Sequence, residues 1–162
     1  MNGKRGLTTF LKGMILLAGI AILALCIFFV PPMAHFASSL YPNFYPMNSL
    51  IFIVMYGSAV PFYIALYQAF KLLRYIDANT AFSELSVKAL KYIKWCAIII
   101  SGLHVLGAPP LFHFITNKMD PPFGIVGLLI IFVSLVIAIF AAVLQRLLQE
   151  VTNIKLENDL TV

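Results

Sequence analysis

The sequence predicts an all-α fold: an integral membrane four-helix bundle with both termini cytoplasmic and the third helix broken across Gly107, Ala108, Pro109 and Pro110. Three observations predict it. No Asp, Glu, Lys or Arg lies between Lys12 and Lys71, within 95–117, or within 121–145. Charge is costly in hydrocarbon, so segments long enough to cross a bilayer shed it. The chain is 62% hydrophobic and 10% charged, against about 45–50% apolar and 25% charged in soluble proteins. Finally, ten of the eleven Lys and Arg residues fall on one side of the expected crossings. A soluble domain of this length would carry charge in each of the three gaps, so that class is excluded.

One domain, 1–162, takes up the whole length. The first crossing, about 13–33, follows Lys4, Arg5 and Lys12. It exceeds the ~7–15-residue core of a secretory signal and no Ala-x-Ala site follows it, so it reads as a retained helix ended by Pro31 and Pro32. Residues 34–47 hold Pro42 and Pro46 among Tyr41, Phe44 and Tyr45, which predicts a short interfacial loop on the outer side. The second crossing, about 48–73, carries Pro61 in its middle, where a membrane helix tolerates a kink.

Residues 74–91 form the charged cytoplasmic loop. Asn79 suits the left-handed conformation that stops a helix, Ser83 suits the cap of the next one, and Glu84 suits its first turn. From there Leu85, Ala89, Tyr92 and Ile93 take one face and Lys88, Lys91 and Lys94 another, an amphipathic lead-in along the headgroups. The third crossing, about 92–115, contains the proline pair that predicts the break. The fourth, about 124–148, has about 25 residues and thus roughly 37 Å of helix, enough to span with tilt. A polar cytoplasmic tail, 149–162, follows, with Glu157 and Asp159 able to pair with Lys88, Lys91 and Lys94.

Orientation follows from the basic residues. Lys4, Arg5 and Lys12 precede the first crossing, Lys71, Arg74, Lys88, Lys91 and Lys94 flank the middle loop, and Arg146 and Lys155 follow the last crossing. Only Lys118 lies on the other side. That distribution places the termini and middle loop inside. The net charge of +5 is then a topology signal with some attraction to anionic lipid, and no direct nucleic-acid binding is expected.

Candidate chemistry is sparse. His104 lies nine residues past Trp95, about 13 Å deeper along the helix and near mid-membrane, where ionisable groups are functional candidates by default. Packing is the plainer role, with Ser101, Ser134, Gln68 or a tyrosine hydroxyl as hydrogen-bond partner. Tyr56, Tyr63 and Tyr67 recur at intervals of seven and four, one stripe that suits a helix–helix seam or, less simply, a cavity lining. His35 and His113 near the outer surface lack the further ligands a metal or haem would need, so no cofactor is expected. Cys26 and Cys96 sit near opposite ends of their crossings and do not suggest a disulfide or redox pair. No nucleophile–base constellation, phosphate loop or paired carboxylates are present, so no enzyme activity is expected.

Leu72-Leu-Arg-Tyr-Ile-Asp-Ala-Asn-Thr-Ala-Phe-Ser83, leading into Val87-Lys-Ala-Leu-Lys-Tyr-Ile-Lys94, resembles the YoaS-like family of small bacterial membrane proteins of unknown function. The closing Leu156-Glu-Asn-Asp-Leu-Thr-Val162, after Ala142-Val-Leu-Gln145, is similar to that family's ending. Asn79 stands where the family pattern suggests glycine, and it keeps the left-handed turn. The resemblance implies a multi-pass protein of the bacterial cytoplasmic membrane, often encoded beside a small helix-turn-helix regulator, with no catalytic residues to transfer.

These readings together predict a non-enzymatic sensor or docking protein that holds such a regulator at its cytoplasmic face. Phe82, Ser83 and Lys88 in the middle loop, with Leu160 and Val162 in the tail, are the interaction candidates. The alternative is a small transporter, export or immunity protein for a hydrophobic or peptide compound, with His104 carrying a proton because no carboxylate occupies the apolar runs. The lipid bilayer is the certain environment, and a homo-oligomer is compatible with the sequence.

Overall fold

In hydrocarbon every backbone N–H and C=O must find its partner within the protein, and a helix satisfies all of them within one segment. The computed structural model, which describes residues 2–40, 47–117 and 122–160, follows that rule. It contains α1 (Asn2–Phe28), α2 (Val30–Leu40), α3 (Met47–Asp77), α4 (Glu84–Asn117) and α5 (Pro122–Leu160). Four stretches are long and apolar enough to cross a membrane: Gly6–Pro32, Ser49–Asp77, Glu84–Gly107 and Leu128–Asn158. The all-α membrane architecture with four crossings is therefore as the sequence predicts.

The helices pack in series. α1 packs on α2 and α3, α2 on α3, α3 on α4, and α4 on α5; among the described residues α5 meets no element except α4. Most large apolar side chains consequently face outward, including Phe28, Leu106 and Phe132. In water such a surface would aggregate, whereas in a bilayer it is lipid-facing.

α1 and α3 run antiparallel and are matched every seven residues. The Lys12 ammonium lies 5.9 Å from the Phe70 ring centre. Tyr63 donates its hydroxyl to the Gly19 carbonyl at 2.8 Å, and Tyr56 donates to the Cys26 carbonyl at 3.0 Å. Residues 12, 19 and 26 thus meet 70, 63 and 56. Two of the three striped tyrosines form the predicted seam, while Tyr67 stands outside it with the Lys71 ammonium 4.8 Å from its ring centre. Lys12 also pairs with Asp77, so the end of α3 sits level with Lys12, ten residues into α1.

The first two of the three proline pairs behave differently. Pro31 and Pro32 cannot donate to the carbonyls of Ile27 and Phe28, so α1 stops at Phe28. The same prolines then occupy the first turn of α2, where a missing N–H costs nothing. Residues 34–40 are therefore helical where the sequence predicted an interfacial loop. Ala34 is fully buried in a small cluster with Ile51, Phe52 and Met55, and that contact explains the extra helix. The second pair does not break its helix: α4 is one helix from Glu84 to Asn117, and the predicted interruption across 107–110 is not observed. Adjacent prolines remove only the two donors they lack, and the ladder on either side persists within hydrocarbon. Close packing also holds this region, since a Cβ on Gly107 would lie 2.9 Å from Val54 Cγ2 of α3.

The turn between α3 and α4 is built as predicted. Asn79 has φ of 56°. Its N–H donates to the Ile76 carbonyl at 3.1 Å and the Thr80 N–H to the Tyr75 carbonyl at 2.9 Å, the paired bonds that close a helix through a left-handed residue. Ser83 directly precedes α4, and its carbonyl accepts from the N–H groups of Ser86 and Val87.

The helices are longer than the apolar runs. α4 has 34 residues and α5 has 39, which corresponds to roughly 50 and 58 Å of helix against a hydrocarbon layer of about 30 Å. The fourth helix, expected to be continuous past Leu148 into the polar tail, runs as helix to Leu160. The polar ends of α4 and α5, carrying Lys88, Lys91, Lys94, Glu150 and Lys155, lie at the same end of this hairpin.

Candidate functional site

Because α5 touches only α4, its buried residues mark the face it turns to that helix. They are Ser134, Ala138, Ala141 and Thr152, spaced four, three and eleven apart, with Gln145 and Leu148 half-buried between them. Small residues at this spacing let two helix backbones approach closely. On α4 the buried set includes Ser86, Ala97, Ser101 and His104. On the α5 side the seam between the two long helices is thus lined by small and polar side chains, unlike the tyrosine-bridged α1–α3 seam.

His104 is 93% buried, given its 7% relative exposure. Its Nδ1 lies 2.9 Å from the Ile100 carbonyl, so in the neutral ring Nδ1 donates and Nε2 is left as an acceptor. Among the described residues that Nε2 has no hydrogen-bond partner, and neither does the buried Oε1 of Gln145. None of the partners expected for His104 serves it: a backbone carbonyl one turn earlier takes the role. Ser134 donates instead to the Ile130 carbonyl of its own helix, and Thr152 donates to the Leu148 carbonyl at 2.8 Å.

Three of the four intramembrane candidates belong to one region. Ser101 and His104 are one turn apart on α4, and both are buried. Ser134 lies twelve residues after the start of α5, while His104 lies thirteen before the end of α4, so the hairpin brings them to similar depth. Gln68 is apart. A Cβ on Gly57 would meet Leu103 at 3.8 Å, which sets His104 level with that part of α3, and Gln68 is eleven residues, about 16 Å, further along. Gln145 was not singled out in the sequence reading. Its signal was present in the four–three spacing that joins it to Ser134, Ala138 and Ala141.

The interaction candidates of the middle loop and the tail divide as well. Ser83 is the residue before α4, where its carbonyl accepts the first helical bonds, and its Oγ lies 3.4 Å from that of buried Ser86. Phe82 is 54% exposed and Lys88 is exposed. Leu85, Lys88, Tyr92 and Trp95 follow at three, four and three residues on one exposed face of α4. Leu160 ends α5, but its side chain and all of Val162 lie outside the described residues, as does the side chain of His113. Among the described residues no group of three His, Cys, Asp or Glu side chains could hold a metal ion. Cys26 and Cys96 are free thiols.

Four apolar crossings, a serial helix arrangement and a polar seam at depth define a polytopic helical membrane protein. The family described as "Protein of unknown function (DUF2975)" matches residues 32–162, and the chain belongs to it. It is also 56% identical over 156 residues to the uncharacterized membrane protein YoaS of Bacillus subtilis (strain 168), covering 96% of this chain and 97% of that relative. The resemblance read from 72–94 and 156–162 is thereby borne out. No solved structure matches the chain.

Proposed function

We propose that this is a non-enzymatic protein of the bacterial cytoplasmic membrane, with both termini inside, that holds a small cytoplasmic DNA-binding regulator at its inner face. The observation that carries the reading is the cytoplasmic end of α4. Phe82 and Leu85 are exposed beyond the charge-free run, beside exposed Lys88 and Lys91. Tyr92 and Trp95 suit the headgroup belt, where aromatic rings are commonly found; Phe82 and Leu85 lie past it, where lipid does not cover them. An exposed apolar pair edged by lysines fits a soluble partner with an apolar patch and an acidic rim. The test uses the full chain in nanodiscs and a purified small helix-turn-helix regulator of the kind the family resemblance implies. Saturable binding, weakened at least several-fold by Phe82→Ala and by Lys88→Glu, supports docking; absence of binding by the folded chain refutes it.

A second reading is favoured by the unpartnered His104 Nε2 and Gln145 Oε1. Buried acceptors within a membrane seam are where a transporter or immunity protein would hold a donor on its substrate or a proton. Proton-dependent efflux of a hydrophobic or peptide compound from proteoliposomes, lost in His104→Gln, would establish this reading over the first.

A further inference from the structure

α5 has a second stripe, about 100° around the helix from the face that meets α4. Ile137, Phe140, Leu144, Leu147, Val151 and Ile154 alternate at three and four residues, and all six are exposed. Lipid accounts for the part within 121–145, which carries no charge. It does not account for Val151 and Ile154, 42% and 60% exposed, which lie past Arg146 among Glu150, Lys155 and Glu157. An apolar three–four repeat sustained into water is the pattern of a coiled-coil seam.

We propose that the occupant of this stripe is α5 of a second copy of the chain, forming a parallel two-stranded coiled coil that begins in the membrane and continues into the cytoplasm. Two copies inserted with the same orientation can only place their α5 helices parallel. In that register Ile137, Leu144 and Val151 take the first core position of each heptad, and Phe140, Leu147 and Ile154 the second. Glu150 then precedes a first core position and Lys155 follows a second one, five residues apart. Flanking positions so placed meet across a parallel dimer, Glu150 of one copy against Lys155 of the other. Within its own chain Glu150 makes a loose contact with Arg146 at 3.8 Å. Asn158 takes the next first core position, where asparagine is known to favour a fixed two-stranded register. The α4 helix is not displaced, because it covers Ser134 and Ala141 on the adjoining face.

The experiment is disulfide trapping of the full chain in isolated membranes, starting from a variant lacking Cys26 and Cys96. Val151→Cys and Ile154→Cys should form symmetric dimers on mild oxidation several-fold more readily than Asn153→Cys and Leu156→Cys, which lie on the outer faces of the same turns. Native mass spectrometry of the parent chain should show a dimer. Glu150→Lys and Lys155→Glu should each reduce trapping at Ile154→Cys, and the two together should restore it. Equal trapping at all four positions, a monomer in native spectra, or no rescue by the double exchange overturns the proposal.

Discussion

The α1–α3 seam and the α4–α5 seam solve the same problem with different chemistry. In the first, tyrosine hydroxyls reach across to backbone carbonyls at Gly19 and Cys26, and a Lys12–Asp77 pair closes the end. In the second, small residues bring the backbones together, and the hydroxyls of Ser134 and Thr152 turn back on their own helix. The difference shows where polar capacity is used up. Each tyrosine bridge satisfies its donor, whereas His104 Nε2 on α4 and Gln145 Oε1 on α5 have no hydrogen-bond partner among the described residues. The α1–α3 pair uses its hydroxyls between helices, and α4 and α5 carry buried acceptors without a partner among the described residues.

The contrast is broken most strongly at Ala141, 3% exposed. Ala141→Leu should wedge α5 from its only neighbour and cost about 1–3 kcal/mol, read as a lower unfolding midpoint in detergent and easier proteolysis of α5. Gly19→Ala on the other seam should be nearly silent, since its added methyl would sit 3.5 Å from Leu66 Cδ1, an ordinary contact. Equal effects would mean that the two seams are equally tight.

A smaller effect is expected at the tyrosine bridges. Tyr63→Phe should cost about 0.6 kcal/mol, the average for such bonds between membrane helices, while Tyr67→Phe should cost nothing measurable by the same unfolding assay. Lys12→Ala comes next, at about 0–1 kcal/mol and diminishing with salt, because both partners are partly solvated. Unfolding midpoints in low and high salt check it.

The smallest expected change in stability is at His104. Its one bond is to the Ile100 carbonyl, which helical geometry already serves, so His104→Leu leaves no buried group newly unpaired and should fold as well as the parent. If it folds normally and function is lost, Nε2 has work beyond packing. A large drop in midpoint would instead reveal a partner for that nitrogen.

Charge gaps made the four crossings legible, because hydrocarbon excludes charge whatever the fold. The left-handed Asn79 and the tyrosine seam were legible for local reasons, one a backbone preference and the other a helical period. The sequence misled where tertiary contact decided. Ala34 packing against Ile51 turns an expected loop into α2, and close approach at Gly107 accompanies a helix that continues through Pro109 and Pro110. The run from Gly124 to Glu150 without proline made the continuation of the fourth helix past Leu148 legible, and α5 extends to Leu160. Gln145 went unnoticed as a buried group because a glutamine at the end of an apolar run looks like the membrane boundary.

The claim on which the account rests is that the polar ends of α4 and α5 project into the cytoplasm. Asn79→Cys and Asn153→Cys, each in a chain lacking Cys26 and Cys96, should be modified by a membrane-impermeant maleimide in inverted vesicles and remain unmodified in intact cells. Modification of either position in intact cells would place that end of the hairpin outside and contradict the account.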